Sequence, residues 1–476
     1  MSDLYGDFSG AGDESIPAVT MSTDPEHMIE TVGYGFPVAV AIAPNGTRNL
    51  DRVSVITDTE TAVFSDVIKE VSGKEYFLQM SEKELARKAS GARKKPDEVG
   101  ERPHDFLASK FSEKISGYVE EVLRDFGSAL FFPYMNSEPA ETFADQYENL
   151  HLVAPDLKVM DRWDSKTWSY RRLEATEANL VPGETFENLE DAQSFLDGKE
   201  WDHGAFVSRE RGAGGSGSAH VHSQEELDSM YSDADGEVLV QKWLDGAEAA
   251  PNVLMMVGGS DVEALVSSDQ IIEEGTAYSG NTYPLDLDDS TIDELEAQAE
   301  IIGDEMRRDG YRGLTGVDLM VVDGEPYYVE VNPRKNHSTV LKSTMLEELR
   351  PEGLPPLPVV EKDVVLGDED YNLQLWSKNV RESGYTWDMY IFSEPGWFRF
   401  SDPGVDTMHD HEYGFGQDSG FVANIPREGA YVPRAYKGIK SSEESLEPQE
   451  VNIGRVVTPD PQSRQKMLER YRQGLS

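Results

Sequence analysis

Apolar runs and helical stripes alternate along the first third of the chain. Uninterrupted apolar runs at residues 36–43, 53–57 and 129–132 predict buried strands of a parallel sheet. Between them, residues 105–126 carry apolar side chains at helical spacing, which predicts an amphipathic helix packed on a core. Strands that alternate with helices are typical of a parallel α/β layer, so the pattern predicts an α/β fold class.

Composition suggests the domain boundaries. Residues 1–30 are polar and acidic, and we expect a flexible leader there, ahead of a parallel α/β domain at residues 31–160. A second domain, with mixed helices and strands, is expected at residues 161–348. The proline-rich residues 349–362 predict a linker, and residues 363–476 predict a C-terminal α+β extension.

The clearest local signal is a hairpin centred on Asp323-Gly324. The apolar residues 317–322 predict a strand, and Asp-Gly is a strong signal for a two-residue hairpin turn. Residues 327–332 then predict the returning strand. Two strands joined by such a turn lie side by side, so their side chains on one face come together.

Three oxygen-bearing side chains of this hairpin are expected to converge. Asp318 lies on the first strand, while Glu330 and Asn332 share one face of the second because side chains alternate along a strand. Two carboxylates and an amide oxygen suit a hard divalent cation such as Mg²⁺ or Mn²⁺. The alternative is a surface hairpin with ordinary polar positions.

Acidic residues dominate the charge of the chain. Among 476 residues, 90 are Asp or Glu and 43 are Lys or Arg, which gives a net charge of −47. The acid is spread over the whole chain, which indicates the acidic surface of a halophilic protein from a high-salt cytoplasm, where mobile ions screen the self-repulsion. An acidic protein that binds cations or basic partners is the alternative.

We expect low ionic strength to destabilise this protein. The screening length is about 10 Å at about 0.1 M salt and grows as salt is removed, so repulsion between surface carboxylates then acts across the whole fold. The melting temperature should therefore fall when the protein is moved from high-salt to low-salt buffer. A melting temperature that is indifferent to salt would contradict the screened acidic surface.

Composition also argues against several classes of protein. The chain has no cysteine, which excludes disulfides, zinc thiolates and cysteine nucleophiles. The shortage of basic residues argues against nucleic-acid binding. No apolar run is long enough for a membrane span, and the N-terminus lacks the pattern of a secretory signal. These features predict a soluble cytoplasmic protein with neither a nucleic acid nor a membrane as partner.

A glycine-rich segment is a candidate phosphate-binding loop. Residues 209–218 read Arg-Glu-Arg-Gly-Ala-Gly-Gly-Ser-Gly-Ser and follow a predicted strand at residues 205–208. Glycines let the backbone turn its N–H groups inward and approach phosphates closely. The segment is neither a Walker A motif nor a Rossmann fingerprint. By itself it is compatible with a loop that folds over a nucleotide or with a flexible turn.

Two weaker signals remain open. Residues 81–95 hold a basic cluster, which predicts either an anion site or a helix face that balances neighbouring acid. His409 and His411, with Asp410 between them, are compatible with a metal site or with a surface loop.

Taken in order, these motifs resemble the ATP-grasp superfamily. The order begins with Lys166 at a predicted helix start, continues with the glycine-rich loop, and then reaches a strand that ends in Gln-Lys-Trp-Leu at residues 241–244. The motif Glu-x-Asn-Pro-Arg begins at Glu330, and Asp318 lies 12 positions before it. The resemblance covers roughly residues 160–345. The region from Phe131 to Lys166 further resembles the pre-ATP-grasp peptide ligases, which are carboxylate–amine ligases.

The resemblance implies a two-lobed α+β ATP-grasp domain and a role for each motif. The loop closes over ATP, the metal bridges the phosphates, and Arg334 and Lys166 act in catalysis, with Arg334 holding the acyl-phosphate oxygens. The residues implied to bind the phosphates are Lys166, Gly212, Gly214, Gly215 and Gly217, those implied to line adenine are Gln241, Lys242, Trp243 and Leu244, the ribose residue is Glu248, and the metal ligands are Asp318, Glu330 and Asn332.

One position departs from the family pattern. The family usually carries a lysine on the strand before the glycine-rich loop, and this chain has Ser208 or Arg209 there. Arg209 is a candidate to supply the missing charge, although strand alternation turns it to the other face. The departure weakens the expected binding of phosphate. Residues 273–281 resemble a substrate-facing segment of the family, with a plain surface loop as the alternative.

The resemblance implies an ATP-dependent, ADP-forming carboxylate–amine ligase that acts through an acyl phosphate. Its cofactors would be ATP and Mg²⁺ or Mn²⁺, and its partners a small-molecule carboxylate and an amine. A carboxylase-type enzyme acting on bicarbonate and a regulatory nucleotide-binding protein without turnover are the alternatives. The identities of the acid and the amine stay open, and so does the oligomeric state, with a homodimer as one option.

Overall fold

The computed structural model divides into two compact units. The first unit comprises residues 1–154, 335–371 and 378–476, and the second comprises residues 155–334 and 372–377. The residues that the structure describes are 18–22, 53–57, 77–79, 116–117, 119–120, 123–124, 127–196, 201–212, 217–223, 226–227, 236–273, 277–355, 357–367, 371–395, 430–433, 450–458, 461–462 and 464–465.

The first unit contains a parallel sheet of five strands. The strands are β1 (Ala18–Ser22), β2 (Val53–Thr57), β3 (Phe77–Gln79), β4 (Ala129–Phe131) and β5 (Leu150–Leu152), in the order β3-β2-β1-β4-β5. All neighbouring strands run parallel, which confirms the predicted parallel α/β layer. Helix α1 (Glu138–Ala144) connects β4 to β5, and the Ser137 hydroxyl caps it by accepting a hydrogen bond from the Ala140 amide.

The sequence-based boundaries of this region need one correction. Residues 18–22 form the central strand β1, so the flexible leader predicted for residues 1–30 is wrong over these five positions. They pair in register with β2 on one side and β4 on the other. The predicted strand at 36–43, the basic cluster at 81–95 and the pair His409 and His411 lie outside the described residues.

The first unit also holds elements from the second half of the chain. Helices α6 (Thr339–Glu348) and α7 (Leu357–Leu366) pack together there. Leu357 and Val360 of α7 are buried, so the linker predicted at residues 349–362 is wrong from residue 357 onward. Strands β15 (Trp387–Pro395), β16 (Ala430–Pro433) and β17 (Glu450–Thr458) form an antiparallel group in the order β15-β17-β16.

The second unit begins with two short helices and a four-stranded antiparallel sheet. The helices are α2 (Leu157–Trp163) and α3 (Lys166–Leu173), and the strands are β6 (Gly183–Phe186), β7 (Ala205–Arg209), β8 (Ser218–Val221) and β9 (Val238–Lys242), in the order β6-β9-β7-β8. Helix α4 (Leu189–Leu196) packs its apolar residues on one face of this sheet, where Val207, Val221 and Val240 are fully buried.

A second sheet of the same unit carries the predicted hairpin. Its strands are β10 (Pro251–Val257), β11 (Val262–Glu273), β12 (Ala277–Tyr283), β13 (Gly313–Val322) and β14 (Glu325–Asn332), in the order β14-β13-β10-β11-β12. Asp323 and Gly324 join β13 to β14 with φ values of 53° and 75°, as a turn with two left-handed residues requires. Of residues 273–281, Glu273 is the last residue of β11 and residues 277–281 lie in β12, while residues 274–276 lie outside the described residues.

Helix α5 (Asp289–Arg308) supports this second sheet. Asp288 caps its start, and its apolar stripe of Leu295, Ala299, Ile302 and Met306 is fully buried. Gly303 is required on the same helix, since a Cβ there would lie 2.5 Å from Val262 Cγ1. Helix α8 (Gln374–Glu382) is the last helix with assigned bounds. Within the described part of the chain, no helix is both long and apolar enough to cross a membrane.

Candidate active site

The hairpin brings the two acidic residues of the predicted metal site into direct register. Asp318 of β13 pairs with Glu330 of β14, and the register shifts immediately afterwards, between Asp318 and Leu319. Gly316 pairs with Asn332, so the third predicted ligand lies opposite a residue without a side chain. The side chains of Asp318, Glu330 and Asn332 thus gather at the end of the hairpin far from its turn.

Two amide groups hold the Asp318 carboxylate. Asn332 Nδ2 donates to Asp318 Oδ2 at 2.8 Å, and Asn252 Nδ2 of β10 donates to Asp318 Oδ1. Asp318 and Asn252 are both buried. Each oxygen of the Asp318 carboxylate therefore accepts an N–H from a neighbouring amide.

Lys166 reaches this cluster from helix α3. Ser165 caps the helix by accepting from the Trp168 amide, which makes Lys166 the first helical residue. Its ammonium group donates to Glu330 Oε2, and the two side chains are 14% and 22% exposed. Burial lowers the Lys166 pKa to about 8, although the nearby Asp318 and Asp164 carboxylates raise it.

Arg334 completes the cluster at the end of β14. Its Nη2 donates to Asn332 Oδ1 at 3.0 Å, and its backbone amide donates to the Asn332 carbonyl at 2.7 Å. The positive charge of Arg334 is close enough to contribute to the lowering of the Lys166 pKa. Lys166 and Arg334 thus bring two positive charges to the two predicted ligands of β14, Glu330 and Asn332.

The helix that carries Lys166 is fixed to the strand that carries Glu330. Tyr328 of β14 donates its hydroxyl hydrogen to Ser169 Oγ on α3 at 2.8 Å, and both side chains are buried. Leu180 also forms an isolated β-bridge with Tyr328. This link constrains where Lys166 lies relative to Glu330, because it joins the helix three residues from Lys166 to the strand two residues from Glu330.

The strand before the glycine-rich loop presents Ser208, and not Arg209, on the face opposite the α4 core. Val207 packs in the core under α4, so Arg209, two residues on, shares that face of β7 and Ser208 lies on the other. Ser208 is buried and accepts a hydrogen bond from Ser218 Oγ at 3.1 Å. A serine pair thus stands where the family pattern has a lysine.

The base of the glycine-rich loop is anchored to the start of helix α3. Arg211 Nη1 donates to Asp164 Oδ2 at 3.2 Å, and the Lys166 amide donates to the Glu210 carbonyl at 2.8 Å. Gly212 is exposed and Gly217 has a φ of 78°, which favours glycine. Gly214 and Gly215 lie outside the described residues.

Gln241 is a buried amide on the same face of the sheet as Ser208. It is only 3% exposed, and its Nε2 has no hydrogen-bond partner among the described residues. In register it lies between Gly183 of β6 and Phe206 of β7. A Cβ on Gly183 would come within 2.8 Å of Gln241 Cγ, so the glycine makes room for this side chain.

The strand β9 ends one residue after Gln241, at Lys242. Lys242 is exposed, and Trp243 stacks on His220 with ring centroids 3.7 Å apart and an angle of 8°. Leu244 is half-buried. Glu248 has an exposed side chain, while its backbone amide donates to the Val321 carbonyl of β13 at 2.8 Å.

The chemistry of the donor set suits a magnesium-type cation. No group of three or more His, Cys, Asp or Glu side chains converges within the part of the chain that the structure describes. Asp318 and Glu330 with Asn332 instead offer two carboxylates and one amide oxygen. Mg²⁺ is commonly bound by one or two carboxylates, with water and phosphate oxygens completing its shell. These residues therefore fit a cation that arrives with a nucleotide.

Sequence reasoning missed two residues of this cluster. Asn252 is the only polar side chain of β10, and a lone amide in an otherwise apolar buried strand was the available signal. Arg211 was counted only as part of the glycine-rich segment, although its guanidinium holds the loop base. Its contact with Asp164 spans 47 residues, which no local pattern reveals.

Comparison with known proteins agrees with this geometry. Residues 164–338 match the family model described as ATP-grasp domain. The carbamoyl phosphate synthase arginine-specific large chain of Geobacillus stearothermophilus is 24% identical over 195 residues, which are 40% of this chain and 18% of that protein. The butirosin acyl-carrier protein–L-glutamate ligase of Niallia circulans is 21% identical over 226 residues, which are 45% of this chain and 54% of that protein. The chain thus spans about half of one relative and less than a fifth of the other.

Solved structures share the fold over nearly the whole chain. Biotin carboxylase from Campylobacter jejuni has a TM-score of 0.57 at 13% identity, covering 97% of this chain and 92% of that chain. L-amino acid ligase from Bacillus licheniformis has a TM-score of 0.54 at 12% identity, covering 97% of this chain and 98% of that chain. At such identities the likeness concerns the fold alone. With the matched family model and the Lys166–Glu330 cluster, it identifies residues 164–338 as an ATP-grasp domain.

Proposed function

We propose that this protein is an ATP-dependent carboxylate–amine ligase that activates the acid as an acyl phosphate and releases ADP. The observation that carries the proposal is the joint placement of Lys166 on Glu330 and of Arg334 on Asn332, around the Asp318 carboxylate. Such a cluster combines two carboxylates for a cation with two positive groups for phosphates. That combination meets the demand of phosphoryl transfer, which is positioning and charge neutralisation.

The residues divide the work as follows. A bound Mg²⁺ or Mn²⁺ would neutralise charge on the transferring phosphoryl group, held by Asp318, Glu330 and Asn332. Lys166 would donate to the phosphate oxygens, and the fork of Arg334 would hold the carboxylate and then the acyl phosphate. The glycine-rich loop would exclude water, which hydrolyses acyl phosphates.

The proposed reaction has two steps. A carboxylate oxygen of the acid attacks the γ-phosphorus of ATP, the bond to the β-phosphate oxygen breaks, and ADP leaves. The amine nitrogen then attacks the acyl carbon, and inorganic phosphate leaves with an oxygen that came from the acid. Amide formation thus consumes one ATP and gives ADP and phosphate.

Two alternatives have support of their own. A carboxylase-type reaction, with bicarbonate as the acid, is favoured by the fold likeness to biotin carboxylase. A nucleotide-binding protein without turnover is favoured by the Ser208–Ser218 pair, which replaces the expected lysine. The complete cluster at Asp318, Glu330 and Lys166 favours the ligase over the protein without turnover.

An assay of ADP release with labelled acids tests the proposal. The protein, in high salt with Mg²⁺, is offered ATP with pools of carboxylic acids and amines, or with bicarbonate. We expect ADP release that needs both an acid and an amine, with heavy oxygen passing from a labelled carboxylate into the released phosphate. Release that depends on bicarbonate would favour the carboxylase, and no release from folded protein across broad pools would contradict both enzymes.

The buried amide of Gln241 gives a prediction about nucleotide binding. Replacing Gln241 with Leu should leave the ligand-free protein as stable as before or more stable, because it removes a buried donor without a partner. The same change should weaken ADP binding by about tenfold, or about 1.4 kcal/mol, because the purine edge loses its hydrogen bond. Thermal melts and calorimetric titration with ADP measure the two effects.

Gln298 offers a matched control for this substitution. It is also buried, but its Oε1 accepts from the Asn179 amide at 2.8 Å and its Nε2 donates to Glu294 at 3.1 Å. Gln298→Leu should therefore lower the melting temperature and leave ADP affinity unchanged. If Gln241→Leu behaved like Gln298→Leu, the Gln241 amide would have no role at the nucleotide.

A further inference from the structure

A single polar side chain interrupts the apolar strand β10. Asn252 is 3% exposed and is the only residue of Pro251–Val257 with a polar side chain. In the sheet it lies in register between Asp318 of β13 and Ser268 of β11. Paired residues of neighbouring antiparallel strands place their side chains on one face, within reach of each other.

Asn252 belongs to a row of polar side chains that crosses the sheet. Glu330, Asp318, Asn252 and Ser268 follow one another in register over β14, β13, β10 and β11. Asn281 of β12 extends the row by donating to Ser268 Oγ at 3.1 Å. Asp318, Asn252, Ser268 and Asn281 are all buried, and hydrogen bonds join Asn252 to Asp318 and Asn281 to Ser268.

The contact that matters is the one between Asn252 and Asp318. Asn252 Nδ2 donates to Oδ1 while Asn332 Nδ2 donates to Oδ2, so two amides on opposite sides determine the plane of the carboxylate. An amide stabilises the ionised carboxylate without bringing positive charge of its own. It therefore does not compete with a cation, in contrast to Lys166 at Glu330.

We propose that Asn252 is a positioning residue that orients Asp318 for the divalent cation, an inference that rests on the proposed function of this site. In this role Asn252 touches neither the nucleotide nor the cation. It fixes the orientation of the Asp318 carboxylate on the strand that pairs with Glu330. Replacing a residue that hydrogen-bonds to a metal ligand typically lowers metal affinity by about 10-fold to 100-fold.

The test replaces Asn252 with Leu, which is similar in size and cannot donate. Binding of Mn²⁺ to the full chain is followed by electron paramagnetic resonance in the presence of ADP. We expect the Mn²⁺ affinity to fall by about 10-fold to 100-fold. Affinity for ADP without metal should stay within about twofold of the unmodified protein, since the proposed role concerns the cation alone.

Ser268 supplies the matched control within the same row. Ser268→Ala removes the next polar side chain in register, on the far side of Asn252 from Asp318. This variant should lose stability, because Asn281 loses its acceptor, but should keep its Mn²⁺ affinity. An equal loss of Mn²⁺ affinity in Ser268→Ala and Asn252→Leu would overturn the specific role of Asn252.

Two further variants make every outcome decisive. Asn252→Ala, which cannot donate, replaces Asn252→Leu if that protein does not fold, and it should show the same loss. Unchanged Mn²⁺ binding in a folded Asn252 variant would overturn the inference. Asp318→Asn separates this result from the proposed function, since a metal site elsewhere would leave Mn²⁺ binding intact in that variant as well.

Discussion

Glu330→Gln is expected to abolish turnover while the protein stays folded. The change removes one of two carboxylates for the cation and replaces the charged acceptor of the Lys166 ammonium group with a neutral amide. We expect the rate to fall by about 10³-fold or more, which corresponds to about 4 kcal/mol of lost transition-state stabilisation. Turnover is measured as ADP release with an acid and amine pair found in the pooled assay, and Mn²⁺ affinity is measured independently of any substrate.

The folded state should survive this change for an electrostatic reason. Burial already lowers the Lys166 pKa to about 8, so the lysine can lose its proton at little cost once Glu330 is neutral. Glu325→Gln, at the exposed start of the same strand, is the control and should leave both turnover and Mn²⁺ binding unchanged. Turnover near that of the unmodified protein in Glu330→Gln would remove Glu330 from the metal site.

Lys166→Met should change the affinities for metal and nucleotide in opposite directions. In the ligand-free protein Lys166 occupies the carboxylate of Glu330, which the cation would need. Two unit charges about 4 Å apart interact with about 4 kcal/mol at an effective dielectric constant of about 20, so removing the ammonium group relieves a strong repulsion on the incoming metal. In the absence of nucleotide, we expect Mn²⁺ to bind Lys166→Met about tenfold more tightly than the unmodified protein. Tenfold corresponds to about 1.4 kcal/mol, which is less than the repulsion removed.

Nucleotide affinity should fall in the same variant. The proposed role of Lys166 is to donate to phosphate oxygens. Without it, ATP binding should weaken by about tenfold and the turnover rate should fall by about 10²-fold. Lys158→Met, on the exposed face of α2, makes the same change in charge and should alter neither affinity. If Mn²⁺ affinity without nucleotide did not rise in Lys166→Met, the lysine and the metal would not share Glu330.

Some elements of the second unit are defined by a local pattern alone. The stripe of Leu295, Ala299, Ile302 and Met306 defines a helix by itself, and Asp323-Gly324 defines a hairpin. Residues 18–22 were misassigned because a short central strand within a polar stretch has no pattern of its own. Its place in the sheet comes from pairing with β2 and β4, which are distant in sequence.

The sequence could predict only those contacts of the cluster that join the two strands of the hairpin. Asp318 and Glu330 face each other because a two-residue turn dictates their register. The partner of Lys166 lies 164 residues away, and that of Asn252 lies 66 residues away, so the contacts depend on how helix and sheet pack. For Ser208 and Arg209, strand alternation alone shows that the two side chains lie on opposite faces of the sheet.

The hydrogen bond between the Lys166 amide and the Glu210 carbonyl has a consequence for amide exchange. The first amides of a helix have no partner within the helix and normally exchange with solvent quickly. The Lys166 amide donates to the Glu210 carbonyl at 2.8 Å, so it is protected for as long as the base of the glycine-rich loop stays on helix α3. The exchange rate of this one amide therefore reports how often the loop base lifts from the helix, with no label or substitution near the site.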